Sequence, residues 1–129
     1  IRSAEQTAIV LKSIYRADKK AEEHVWLIAF DTINKPVGVF EVSHGTVNRT
    51  MTTLREIFMR LLLCGAVKFV IAHNHPAGDT TPSKEDIAFT QDIYKVSRVL
   101  NIEIRDSIII GDDYFSFREN GFIEADKNV

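Results

Sequence analysis

Val67-Lys68-Phe69-Val70-Ile71-Ala72-His73-Asn74-His75-Pro76 is the stretch on which the reading of this chain turns. The run from Val67 to Ala72 is apolar and β-branched, which predicts a strand over Lys68 to His73. Side chains alternate along a strand, so His73 and His75 project from one face at its end. Pro76, Gly78 and Pro82 then force a loop. From Ser83 a pattern of helical period begins, which places Asp86 in the first turn of a helix running to about Leu100. Two imidazoles and one carboxylate can therefore converge on one point. That is the ligand set of an open zinc site, with a fourth position left for water.

Working outward, Ser3-Ala4-Glu5-Gln6 has the form of a capping box, and Ala8, Ile9, Leu11 and Ile14-Tyr15 supply a helical stripe. The polar stretch Arg16 to Glu22 ends that helix. Val25 to Phe30 is a continuous apolar run, which predicts a central strand buried on both faces. Asp31 to Lys35 reads as a hairpin loop into a second strand, Val37 to Val42, and Gly45 punctuates it. Thr53-Leu54-Arg55-Glu56 predicts another capping box and a helix through about Cys64, stopped by Gly65. Beyond the Ser83 helix, Ile102 to Ile110 is a strand that Gly111-Asp112-Asp113 turns back into Tyr114 to Phe117. The expected fold class is mixed α/β (α+β), a mixed sheet flanked by helices.

With 129 residues, 45% of them hydrophobic and 26% charged, the chain is expected to be one globular domain over 1–129. It opens at Ile1 without methionine, which suggests a domain excised from a longer protein. The net charge of −2 and scattered basic residues give no footprint of a nucleic-acid binder. No apolar run reaches the ~18 residues needed to span a membrane. Cys64 is the only cysteine, which excludes an internal disulfide and fits a reducing, cytoplasmic setting. It reads as a small packed thiol, not a nucleophile.

Hydrolysis at such a metal site needs a base for the water's proton and a donor near the developing oxyanion. Ser83, three residues before Asp86, is placed to donate. For the base, spacing leaves Glu22, Glu23, Glu41 and Glu56 open. The plainer readings compete at each position. Ser83 and Asp86 alone would serve as an N-cap with a first-turn carboxylate. Asn74 can orient the loop through the backbone, Asp79 can form a turn, and Glu56 can cap its helix. His24 and His44 read as isolated histidines, Trp26 as core, and Tyr114, Phe115 and Phe117 as strand packing.

The spacing His73-X-His75, seven residues, Ser83, two residues, Asp86 resembles the JAB/MPN+ (JAMM) zinc-protease motif. The string His73-Asn74-His75-Pro76-Ala77-Gly78-Asp79, with Pro82-Ser83 and Asp86, is similar to the RadC-type branch of that superfamily. Gly45-Thr46-Val47-Asn48, Arg55-Glu56-Ile57, Ile108-Ile109-Ile110-Gly111 and Ser116-Phe117 agree, so the resemblance covers about Glu22 to Ile123. It implies a cytidine-deaminase-like αβα core, zinc (Zn2+) bound by His73, His75 and Asp86, Glu23 as the catalytic base and Ser83 as the stabiliser of the tetrahedral intermediate. Glu22 drops out because a slip of one residue turns a strand side chain to the opposite face.

The implied activity is that of a metallopeptidase or isopeptidase, a hydrolase acting on the amide bond of a protein or peptide substrate. Ala77 and Ser107 depart from the branch, which generally has serine and histidine there. The N-terminal helix-hairpin-helix region common in the branch is absent, so its DNA-repair label gains no support from this sequence. Two other readings compete: a two-histidine, one-carboxylate iron site for oxygen chemistry, and a catalytically silent interaction module. An exposed sheet edge would also leave a homo-oligomer open.

Overall fold

A computed structural model describes residues 3–19, 21–45 and 51–123. The elements follow the order expected from sequence: α1 (Ala4–Tyr15), a short 3-10 turn (Ala17–Lys19), β1 (Glu23–Phe30), β2 (Pro36–Gly45), α2 (Met51–Leu63), β3 (Lys68–Asn74), α3 (Lys84–Leu100), β4 (Glu103–Ile110) and β5 (Tyr114–Ser116). The five strands form one mixed sheet in the order β2-β1-β3-β4-β5. β1 runs antiparallel to both β2 and β3, β4 antiparallel to β5, and only β3 and β4 are parallel. That parallel pair requires a crossover, and α3 supplies it.

Strand alternation assigns the two faces. Val25, Leu27, Ala29, Phe69, Ile71 and Ile109 point to one side, where Leu54, Ile57, Phe58 and Leu61 of α2 and Phe89 and Ile93 of α3 cover them. Trp26, Ile28, Phe30, Val70, Ala72, Ile108 and Ile110 point to the other, under Ala4, Ala8 and Leu11 of α1. The alanines of α1 let the helix lie close to a sheet face that carries Trp26 and Phe30. Every residue from Val25 to Phe30 is buried, as a strand covered on both faces and flanked on both edges must be. This is the mixed α/β fold read from the sequence, in αβα layers.

Local signals account for most element ends. Ser3 caps α1 by accepting a hydrogen bond from the Gln6 amide. Asp31 organises the β1–β2 loop, its Oδ1 accepting from the amides of Ile33 and Lys35. Gly65 closes α2 with φ +69°, and the Ala66 amide reaches back to the Leu61 carbonyl, the Schellman arrangement. One expectation is corrected: α2 begins at Met51, so Thr53 is a buried first-turn residue and not a cap. Glu56 instead approaches Arg60 one turn on, at 3.5 Å. Thr46, Val47 and Asn48, part of the family resemblance, and the side chain of His44 lie outside the described residues. Cys64 is half-buried, its thiol directed at the Leu61 carbonyl. Trp26 is core, as read, and Phe115 and Phe117 pack edge-on.

Phe69 has no solvent exposure and meets Phe58 of α2 edge-to-face, so it locks α2 onto the strand that carries His73. Phe69→Ala should lower the unfolding free energy by about 3–5 kcal/mol in urea titration. A loss below about 1 kcal/mol would mean that α2 does not bear on β3 in this way.

Candidate metal centre

The alternation of β3 survives past its last residue. The His75 amide donates to the Ile110 carbonyl at 2.8 Å, which prolongs the β3–β4 pairing and keeps His75 on the face of His73. Their rings lie with centroids 5.2 Å apart. Both point to the α2–α3 side of the sheet, where α3 begins. Ser83 is the N-cap of α3, and the capping box is complete: the Asp86 amide donates to Ser83 Oγ at 3.0 Å, and the Ser83 amide to Asp86 Oδ2 at 2.8 Å. Capping thus pins the Asp86 carboxylate toward the strand end. The plainer reading of Ser83 and Asp86 holds, and the same geometry brings Asp86 to the two histidines.

Nε2 of His73 lies 3.1 Å from Asp86 Oδ1, and Nε2 of His75 lies 3.1 Å from Asp86 Oδ2. Asp86 is 1% exposed and His73 5%. One donor atom from each of the three residues falls within 4.8 Å of the others. The tautomer of His75 makes the cluster informative. Its Nδ1 faces the Asp79 carbonyl at 2.8 Å, and a carbonyl only accepts, so Nδ1 carries the proton. In neutral His75 the Nε2 lone pair would then face a carboxylate oxygen, which is repulsive unless a proton or a metal cation lies there. Two imidazole nitrogens and a carboxylate, one imidazole braced by a carbonyl, are the donors and the outer support of an open metal site.

The protonation equilibria follow from the same contacts. The hydrogen bond to Asp86 pushes His75 above the usual imidazole range against the opposing effect of burial, helped by the Asp79 carbonyl and by the charges of Asp86 and Glu23. Burial alone would raise Asp86, but the two imidazoles and the Ser83 amide outweigh it and hold the carboxyl far below the ordinary carboxylate range.

The loop between His75 and α3 rests on the turn after β4. The Gly78 amide donates to the His75 carbonyl and the Asp112 amide to the Gly78 carbonyl, both at 2.9 Å. Gly78 has φ +93°, and a Cβ there would lie 2.6 Å from the Asp112 carboxylate. Asp79 forms the expected turn, accepting from the amide and hydroxyl of Thr81.

Glu23 is the first residue of β1 and half-buried. β1 and β3 pair as far as Val25 opposite His73; strand alternation puts Glu23 on the face of Val25, and its charge acts on the His75 imidazole. The other glutamates separate from the site. Glu41 lies opposite Trp26, on the α1 face, and pairs with His24. The Glu22 side chain is exposed, and Glu56 is paired within α2. His24 is not isolated, since it also stacks on Trp26.

Two sets of contacts differ from the sequence reading or add to it. Asn74 bonds to backbone, as read, but to β1 on both sides of Glu23 and not to its own loop. Ser107 accepts a hydrogen bond from Thr90 at 3.2 Å, which ties β4 to α3 one turn beyond Asp86. The signal for Asn74 was its position between two histidines of the other face; Thr90 and Ser107 gave none. Asp106 turns away from the site to bind Ser116 and the Ser107 and Arg118 amides.

Comparison with known proteins gives one family, the RadC-like JAB domain, which matches residues 1–122. The chain belongs to that family. It is 35% identical over 124 residues to a UPF0758 protein of Clostridium acetobutylicum and 36% identical over 124 residues to one of Methanococcoides burtonii, covering 95% of this chain and 53% of each relative. A UPF0758 protein of Carboxydothermus hydrogenoformans is 40% identical over 101 residues, 78% of this chain and 45% of that protein. The chain spans about half the length of the curated relatives it matches.

A pH dependence follows for the metal-free protein. The raised His75 contributes stability that is complete below its unfolded value of 6.5 and lost as pH rises through the folded one. The depressed Asp86 contributes stability above 3.8 that is lost only in acid. After chelation, the thermal midpoint should therefore fall as pH rises above about 6.5. With metal bound the gain should grow over the same range, because imidazoles must be deprotonated to ligate. A chelated midpoint that rises with pH would contradict this charge arrangement.

Proposed function

We propose that this member of the RadC-like JAB domain family is a zinc-dependent hydrolase that cleaves an amide bond, as a metallopeptidase or isopeptidase. The observation that carries the reading is the convergence of His73, His75 and Asp86 within 4.8 Å, and the half-buried Glu23 at the start of β1, whose charge acts on His75, supports it. The donor set favours zinc because two imidazoles and a carboxylate with an open position are a common catalytic arrangement for it. When bound, zinc supplies Lewis acidity at the scissile carbonyl and lowers the pKa of the attacking water.

The chain's own residues supply the rest. Glu23 takes the water's proton and returns it to the leaving nitrogen. Ser83 Oγ already accepts from the Asp86 amide, and its hydroxyl proton remains a donor for the developing oxyanion. The Asp79 carbonyl occupies Nδ1 of His75, so Nε2 would be the atom this residue offers to a bound metal. No covalent intermediate with the protein is required. The substrate is a protein or peptide, and the Gly78 to Pro82 loop with the surrounding strands would set its specificity.

Glu23→Gln replaces the base by a neutral isostere outside the ligand set. It should retain bound zinc while amide hydrolysis, screened against peptide and isopeptide substrates, falls by about 100- to 10,000-fold. Chelation should abolish hydrolysis, and added zinc should restore it. A Glu23→Gln variant with wild-type turnover would overturn the base assignment. A zinc-loaded wild-type protein inert toward every amide offered would favour an interaction module instead.

A further inference from the structure

Asn74 stands between the two ligands in sequence and on the opposite face of β3 from them. It is 1% exposed, so its amide must find partners within the protein. Nδ2 donates to the Glu22 carbonyl at 2.9 Å, and Oδ1 accepts from the His24 amide at 2.6 Å. Those two backbone groups flank Glu23. One side chain thus grips the chain immediately before and immediately after the residue proposed as the base.

The need for such a grip follows from the strand ends. Backbone pairing of β1 with β3 runs from Phe30 opposite Lys68 to Val25 opposite His73. Two residues on, His75 directs its amide to Ile110 and its carbonyl to Gly78, away from β1 and into the loop that leads to α3. The Asn74 carboxamide takes the place of a peptide group and carries the β1–β3 pairing past the point where the backbone turns away. A base works only within hydrogen-bond reach of its proton, about 2.6–3.2 Å. A misplacement of about 1 Å can cost 100-fold in rate.

We propose that Asn74 is the positioning residue for Glu23, holding it beside the metal centre through the Glu22 carbonyl and the His24 amide. The proposal rests on the reading of Glu23 as the base, but its test does not. Both of these Asn74 side-chain bonds go to the β1 backbone and not to a ligand side chain, so its removal should displace Glu23 and leave metal binding in place.

The test uses Co2+ as the probe and needs no substrate. Wild type, Asn74→Ala and Asn74→Asp are loaded with Co2+, and paramagnetic broadening of the Glu23 side chain is measured by NMR. Amide hydrogen exchange at His24 is followed in the metal-free proteins. In Asn74→Ala, Co2+ stoichiometry should stay at that of wild type. The Glu23 broadening should fall by a factor of about two or more, the inverse-sixth-power consequence of an outward shift near 1 Å, and His24 exchange should quicken at least about tenfold while exchange at Ile71 is unchanged. Asn74→Asp keeps an acceptor for His24 but no donor for Glu22. It should restore His24 protection without restoring the full Glu23 signal, a split that general destabilisation of the strand would not produce.

Should Asn74→Ala fail to fold, Asn74→Asp carries both readouts. Unchanged Glu23 broadening in a Co2+-loaded variant overturns the proposal, as does unchanged His24 exchange in Asn74→Ala. Failure of Glu23 as the base would appear elsewhere, as wild-type hydrolysis by Glu23→Gln with the Co2+ result intact.

Discussion

A carboxylate with 1% of its surface exposed must be compensated by donated hydrogen bonds or positive charge, and Asp86 is the group around which this molecule organises that compensation. One side is provided by the helix it starts: the Ser83 amide donates to it, and its own amide is held by the Ser83 hydroxyl. The other side is provided by the sheet, through two imidazoles at 3.1 Å. The start of α3 and the end of β3 are therefore bound to each other through one carboxylate. With protons the cluster is a structural ion pair; with a divalent cation it is a metal centre. The protein's charge arrangement accepts either, which is why occupancy and pH must trade against each other.

The fold sets that carboxylate in place by ordinary means. β3 needs a partner on each side to be buried, and it has β1 antiparallel and β4 parallel. The parallel partner demands a crossover helix, and a crossover from the end of β3 begins where the histidines are. Ligands in such sheets gather beyond the carboxyl ends of parallel strands, and here the loop from His75 to Ser83 closes that end against the Gly111 turn. Gly78 and Gly111 lie too close for side chains: a Cβ on Gly111 would approach the Gly78 carbonyl to 2.3 Å. The backbone on both sides of the loop is thereby fixed before any ligand arrives.

Much of this was legible in the sequence because it rests on local rules. Alternation put His73 and His75 together, a Ser-x-x-Asp helix start placed Asp86, and continuous apolar runs marked the central strands. The family resemblance then singled out Glu23, which no local rule could separate from Glu22, Glu41 and Glu56. What stayed hidden depends on pairing between distant segments. The partnership of Asn74 with residues 22 and 24 spans about fifty positions and requires knowing that β1 lies beside β3. The pairing of Glu41 with His24 requires the β1–β2 register and its irregularity after Val25. The start of α2 was misplaced because Thr53 and Glu56 carry a capping pattern that the helix, beginning two residues earlier, leaves unused.

The arrangement around Asp86 implies that His73, His75 and Asp86 hold a metal ion. Elemental mass spectrometry on protein purified without chelator, wild type beside Asp86→Ala, tests it most directly. About one zinc per wild-type chain, lost in the variant, is the expected result. A folded wild-type protein that takes up no metal, even when zinc is offered in excess, would contradict the account.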